Sequence, residues 1–177
     1  MLYALYHPQE ADTGNENECN HMTGASESNA DSGAFFVSPE ISVFRYTIER
    51  MRHYQGAWHS VTATLFPNFL FIECDEAAAE ELKKQNLPIV PIPEELTELL
   101  TDLSDEQHYI PMSKGVIQDG VAHVTEGPLT GQDNRIVRID RHKRLAWLKV
   151  SENWTRNFAK DSTSVLVAGL EITERLS

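Results

Sequence analysis

Within seven residues, Arg138-Ile139-Asp140-Arg141-His142-Lys143-Arg144 gathers four permanent cations and one imidazole. Arg138, Ile139 and Asp140 read as the end of one strand, and Leu145, Ala146 and Trp147 as the start of the next. Arg141, His142, Lys143 and Arg144 therefore fall on a hairpin tip. Like charges crowded on a tight turn repel one another, whereas guanidinium forks and ammonium groups suit phosphate oxygens. Two readings follow: a nucleic-acid contact, or a solvated loop that aids solubility.

A second cluster is apolar. In Leu65-Phe66-Pro67-Asn68-Phe69-Leu70-Phe71-Ile72, side chains of a strand alternate between faces, so the aromatics cannot all enter one core. One or two of them must face outward, beside a proline that denies the ladder an N–H. An exposed aromatic there is either an anchor for a partner protein or a chance exposure. A third cluster, Arg45, Arg50, Arg52 and His53, flanks a hairpin expected at Tyr54-Gln55-Gly56.

Catalytic chemistry is poorly provided for. No nucleophile elbow, P-loop or HExxH helix occurs, and Ser104, Asp105 and His108 lie in polar sequence. Cys19 and His21, even with His7, do not make a metal-ligand pattern, and Cys19 and Cys74 build neither a CxxC zinc site nor a disulfide framework. The chain is expected not to be an enzyme and to need no metal or cofactor.

The 177 residues suit one medium domain or two small ones. Hydrophobic residues at 41% and charged residues at 24% are ordinary for a globular chain, which excludes wholesale disorder and fibrous repeats. No apolar run approaches the roughly 20 residues of a membrane span, and the N-terminus lacks the marks of a secretory signal. A cytoplasmic location without membrane partners is expected. The net charge of −12 argues at first against nucleic acid. However, residues 1–113 hold 19 acids and 5 bases, whereas 114–177 hold 8 acids and 10 bases. Such asymmetry prompts a search for two domains with different partners.

The elements that must position these clusters follow from pattern. Leu2–Tyr6 reads as a strand. Residues 8–33, with six acids and no base, are expected to be mobile, apart from a capping box at Thr13-Gly14-Asn15-Glu16 that fits a short helix. Phe35–Val37, Ile41–Ile48, Val61–Leu65 and Phe69–Glu73 read as strands. Asp75 caps a helix with Ala78, Ala79 and Leu82 inward and Asn86 at its end; Leu87–Pro91 returns as a strand. Pro93 starts a second helix, with Leu96, Leu99, Leu100 and Leu103 at helical spacing. Residues 104–114 read as a polar linker. Beyond it, Val121–Val124, Arg135–Ile139, Leu145–Val150 and Val165–Ala168 are short β-branched runs between turns, as in a small barrel. The expected architecture is α+β: an N-terminal antiparallel sheet flanked by helices over 1–103, then a small C-terminal β-barrel over 115–177.

These residues also resemble a family. Leu65–Ile72 resembles the FPGY strand of the NusG N-terminal domain, with Asn68 in place of the glycine. Asp119–Ile139, containing Val124-Thr125-Glu126-Gly127-Pro128-Leu129-Thr130-Gly131, resembles a KOW motif, with Asn134 where many such motifs carry a third glycine. The GPLTG segment, Ile139–Ala146 and the Val90-Pro91-Ile92-Pro93 passage resemble the LoaP subgroup of specialised NusG paralogs. The resemblance covers residues 34–150 and not 8–33 or the tail beyond 150. It implies a NusG-type N-terminal domain, a KOW barrel, and a monomeric bacterial factor for transcription elongation and antitermination. RNA polymerase would be contacted at its clamp helices through Tyr6, Phe66, Pro67 and Phe69. A leader RNA hairpin would be held by Arg138, Arg141, His142, Lys143 and Arg144, with Lys114 and Lys149 flanking. Arg45, Arg50 and Arg52 would face upstream DNA. The alternatives are a general NusG-type elongation factor contacting Rho or the ribosome, and a KOW module for RNA or ribosome binding that never meets polymerase.

Overall fold

The computed structural model describes residues 1–7, 41–150 and 165–176. The capping box at 13–16, the segment 8–33, the strand at Phe35–Val37 and the Cys19–His21 pair lie outside the described residues.

The first sheet is four-stranded. It takes β1 (Leu2–Tyr6), β2 (Ser42–Phe44), β5 (Phe69–Glu73) and β6 (Ile89–Pro91) in the order β2-β5-β1-β6, every pairing antiparallel. Dense apolar sequence places β5 inside this sheet, where Phe71 is fully buried and Phe69 and Ile72 nearly so. A second sheet pairs β3 (Thr47–Tyr54) with β4 (Ala57–Thr64), and β3 also pairs in parallel with β7 (Tyr109–Ile110). The β3–β4 connection falls at Gln55-Gly56, both at positive φ (51° and 77°), a pair of values that favours the twist of a tight hairpin.

The third sheet has five strands: β8 (Ser113–Gln118), β9 (Val121–Glu126), β10 (Ile136–Asp140), β11 (Leu145–Lys149) and β12 (Val165–Leu176), in the order β10-β11-β12-β8-β9. β12 runs antiparallel to β11 and parallel to β8. Two α-helices and a single 3-10 turn (Asp133–Arg135) complete the described chain. α1 (Glu76–Lys84) is capped by Asp75, whose carboxylate accepts the Ala78 N–H at 2.7 Å, and it ends before Asn86 at φ 60°. α2 (Glu94–Leu103) buries Leu96, Leu99, Leu100 and Leu103 on one stripe.

The α+β expectation is corrected: the described residues are mostly β, in three sheets with two short helices. The physical reason lies in the strands. The stretch expected as one strand at 41–48 breaks at Arg45-Tyr46, so its two halves enter different sheets. The supposed linker at 104–114 contributes β7 and the first residues of β8. α1, rich in Glu and Lys, fully buries only Ala79 and covers a small patch of the first sheet, Tyr3, Ile72 and Ile89, with Ala78 and Leu82 beside it.

One apolar cluster joins residues from both ends of the chain. Phe71, Leu96, Leu100 and Ile110 share it with Leu129, Leu148, Leu166 and Leu170, all within 1% of full burial. β12 approaches β3 so closely that a Cβ at Gly169 would overlap the Glu49 carbonyl oxygen. Glu49 Oε2 accepts the Met112 N–H at 2.9 Å, and Arg135 Nη1 lies 2.7 Å from Glu95 Oε1. The KOW-like segment is pinned from within: the Leu129 N–H donates to the buried Ser113 hydroxyl at 3.0 Å, and Gly127 and Gly131 turn at positive φ. Among the described residues no helix is long and apolar enough to cross a membrane.

Candidate nucleic-acid interface

The basic stretch folds as its charges and strand propensities require. β10 and β11 pair in antiparallel register from Asp140↔Leu145 to Ile136↔Leu148, leaving Arg141, His142, Lys143 and Arg144 as the turn. The Asp140 carboxylate accepts the Lys143 N–H at 3.0 Å. That bond, chiefly, holds the Asp140 carboxyl below its usual value, so the turn keeps its anchor as an anion.

The four tip residues do not behave alike. Arg141, His142 and Lys143 are exposed, whereas Arg144 is half-buried at φ 53°. Its guanidinium turns back to Glu171, with Nη1 2.6 Å from Oε1, and lies 4.4 Å from the centroid of the Trp58 ring. Arg144 therefore ties the tip to the β3–β4 hairpin.

Between the two hairpins runs a groove of about 410 Å³. Its charge comes from Arg50 and Arg52 on β3 and from Lys143 on the β10–β11 turn, with His53 and His142 beside them. Two indoles, Trp58 and Trp147, lie in the same lining, and no acid does. Trp58 retains 38% of its surface exposed. His53 meets it edge-on, with ring centroids 5.1 Å apart, and Arg138 lies 5.0 Å from the Trp147 centroid, across the β10–β11 ladder. Cation–π contacts of this kind fix both the ring and the charge.

The remaining candidates are dispersed. Arg138 and Arg141 line a second depression, of about 470 Å³, together with Arg175 near the end of β12. Lys114 is exposed and engaged with Glu126 at 3.0 Å. Lys149 stands at the far end of β11 from the turn, roughly 13 Å along the strand by rise per residue. Arg45 does not join Arg50 and Arg52: its Nη1 donates to the Pro67 carbonyl at 2.9 Å and so braces the turn before β5. At that turn Pro67 and Asn68 are exposed, Phe66 and Tyr6 are half-buried, and Phe69 is buried at 7% exposure, edge-on to Tyr6. Asn68 and Asn134 both stay out of the left-handed region, so neither needs the glycine it replaces.

The structure thus joins Arg50 and Arg52, read as facing DNA, with His142 and Lys143, read as holding RNA. Sequence reasoning assigned no role to Trp58 or Trp147. The available signal was their placement, Trp58 across the hairpin from His53 and Trp147 three residues after the basic tip. Among the described residues no group of three or more His, Cys, Asp or Glu could hold a metal ion. Cys74 is buried, which pushes its thiol pKa up and disfavours a reactive thiolate. No protein-family model matches the chain, and no curated protein matches it either.

Proposed function

We propose that this protein is a NusG-related transcription elongation factor that binds RNA polymerase and promotes processive antitermination, recruited by a nascent leader RNA through the β10–β11 hairpin. The observation that carries this reading is the acid-free basic groove at the hairpin tip, in a chain whose net charge is −12. A surface so opposed to the overall charge is suited to a polyanion, and the acidic remainder disfavours unspecific adhesion elsewhere. The polymerase contact is assigned to the turn at Pro67, with Phe66 and Tyr6 beside it. Arg45 serves there as a brace. Phe69 supports this surface from beneath.

Holding polymerase and RNA on one molecule makes the second binding step intramolecular, so moderate RNA affinity suffices once polymerase is engaged. The test is in vitro transcription with bacterial RNA polymerase. The template carries an intrinsic terminator downstream of the leader from this protein's own genomic neighbourhood. Read-through that rises with the protein and falls when the leader is scrambled is the expected result. Read-through independent of the leader would replace RNA recruitment with a general elongation role. An unchanged terminator would overturn the reading.

A further inference from the structure

We infer that the groove between the β3–β4 and β10–β11 hairpins binds unpaired RNA, with bases stacked on Trp58 and Trp147 and phosphates held by Arg50, Arg52 and Lys143. The inference rests on the proposed function for the identity of the strand, since nascent RNA is what that function brings to the hairpin. It adds the state of the RNA at the groove, which charge alone does not decide.

A basic loop by itself suits a double helix, whose shape and backbone are read by cations. Indoles change the argument, because the faces of paired bases are covered by their neighbours in the helix. Stacking on tryptophan is available to bases that have left the helix, and it tolerates any base. A groove of about 410 Å³ is on the scale of a small-ligand site, which suits a nucleotide or two at its centre. Three permanent cations without a lining acid complement the phosphates on either side.

The rings are also held in advance. Arg144 lies over the Trp58 ring and Arg138 over that of Trp147, and His53 meets Trp58 at a steep ring angle, while Trp58 keeps more than a third of its surface open. Aromatic groups already immobilised lose little further freedom when a base arrives. The groove is built from two distant segments of the chain, Trp58 from β4 and Trp147 from β11, so neither hairpin alone supplies it.

The experiment uses the full chain with Trp154→Phe, so that fluorescence reports Trp58 and Trp147. Three fluorescein-labelled probes of about twelve nucleotides per strand are compared by anisotropy: single-stranded oligo-U, oligo-dT and a blunt-ended RNA duplex. The expected result is tightest binding of oligo-U with quenching of tryptophan emission. Trp58→Leu and Trp147→Leu should each weaken it about tenfold, and the Phe variants should keep most of the affinity. Indoles of the Trp154→Phe chain that are not quenched on binding overturn the stacking, and this readout stands even if a Leu variant fails to fold. A blunt RNA duplex bound as tightly as oligo-U overturns the unpaired state while leaving RNA recruitment intact. Oligo-dT bound equally or better overturns the assignment to RNA. Binding of none of the three overturns this inference together with the proposed RNA contact.

Discussion

Arg144, on the β10–β11 turn, holds its guanidinium 4.4 Å from the Trp58 ring centroid and 2.6 Å from a Glu171 carboxylate oxygen. One side chain thereby links a turn, a strand of another sheet and the long β12. Its backbone sits at φ 53°, a region that costs a residue with a Cβ about 1 kcal/mol or more. The contacts of the side chain offset that strain.

Arg144→Ala removes those contacts and keeps the strain, and should destabilise by about 1–2 kcal/mol. Arg144→Gly removes the same contacts and relieves the backbone, so it should be the more stable variant by about 1 kcal/mol. Arg144→Lys keeps the charge near Glu171 but loses the planar stack, and should fall between wild type and Ala. Urea unfolding of the three variants ranks them, and an Ala variant as stable as Gly would remove backbone strain from the account.

The Pro67 turn separates support from contact. Phe69→Ala empties a buried ring site and should cost about 3–5 kcal/mol in urea unfolding. Pro67→Ala lies on the surface and should leave the unfolding midpoint nearly unchanged. In pull-downs of RNA polymerase, Pro67→Ala should reduce capture despite intact stability. Full capture by this variant would move the polymerase contact elsewhere.

Salt dependence counts the cations that work. Of the basic tip, Arg144 is tied down, while Lys143 joins Arg50 and Arg52 in the groove. Three phosphate contacts on a single strand imply a log–log salt slope of roughly −2. Replacing Arg50, Arg52 and Lys143 together by Gln should bring the slope close to zero. Anisotropy over a salt series measures both, and an unaltered slope in the triple variant would place the phosphates elsewhere.

Acid should loosen the junction of β3 with the β7–β8 connection. The Glu49 carboxylate accepts from the Ser60 hydroxyl at 2.6 Å and from the Met112 N–H at 2.9 Å. The Ser60 bond, then the Met112 bond, lower its pKa from the ordinary value of about 4.5, against a smaller opposing effect of burial. A carboxyl whose folded pKa is depressed contributes stability that is complete above the unfolded value and lost as pH falls through the folded one. Wild-type stability should therefore drop on acidification below about pH 4.5. Glu49→Gln should be less stable at neutral pH and show a shallower acid limb, which thermal melts at stepped pH resolve.

Much of the local structure was legible in the residues. Asp75 caps α1, Leu96, Leu99, Leu100 and Leu103 line the inner stripe of α2, and Gln55-Gly56 turns the hairpin, because caps, helical spacing and turn chemistry act over a few residues. The basic tip also lies where the flanking strands put it. β8 was less legible: it contains Gly115, a poor strand former on its own, yet a Cβ there would lie 2.6 Å from the His123 carbonyl oxygen of β9. The glycine answers to a neighbouring strand, which no local pattern records.

The tertiary structure alone decided how these pieces meet. Ile110 looked like part of a polar joint, but it is fully buried in the cluster shared by Leu100 and Leu148. Trp58 and Trp147 lie far apart in the chain and become one groove only because β12, narrowed at Gly169, lets the third sheet close on β3. The sequence by itself determined which groups are charged, aromatic and helical. Their convergence depends on long-range burial and backbone approach, which are properties of the packed chain and not of any segment of it.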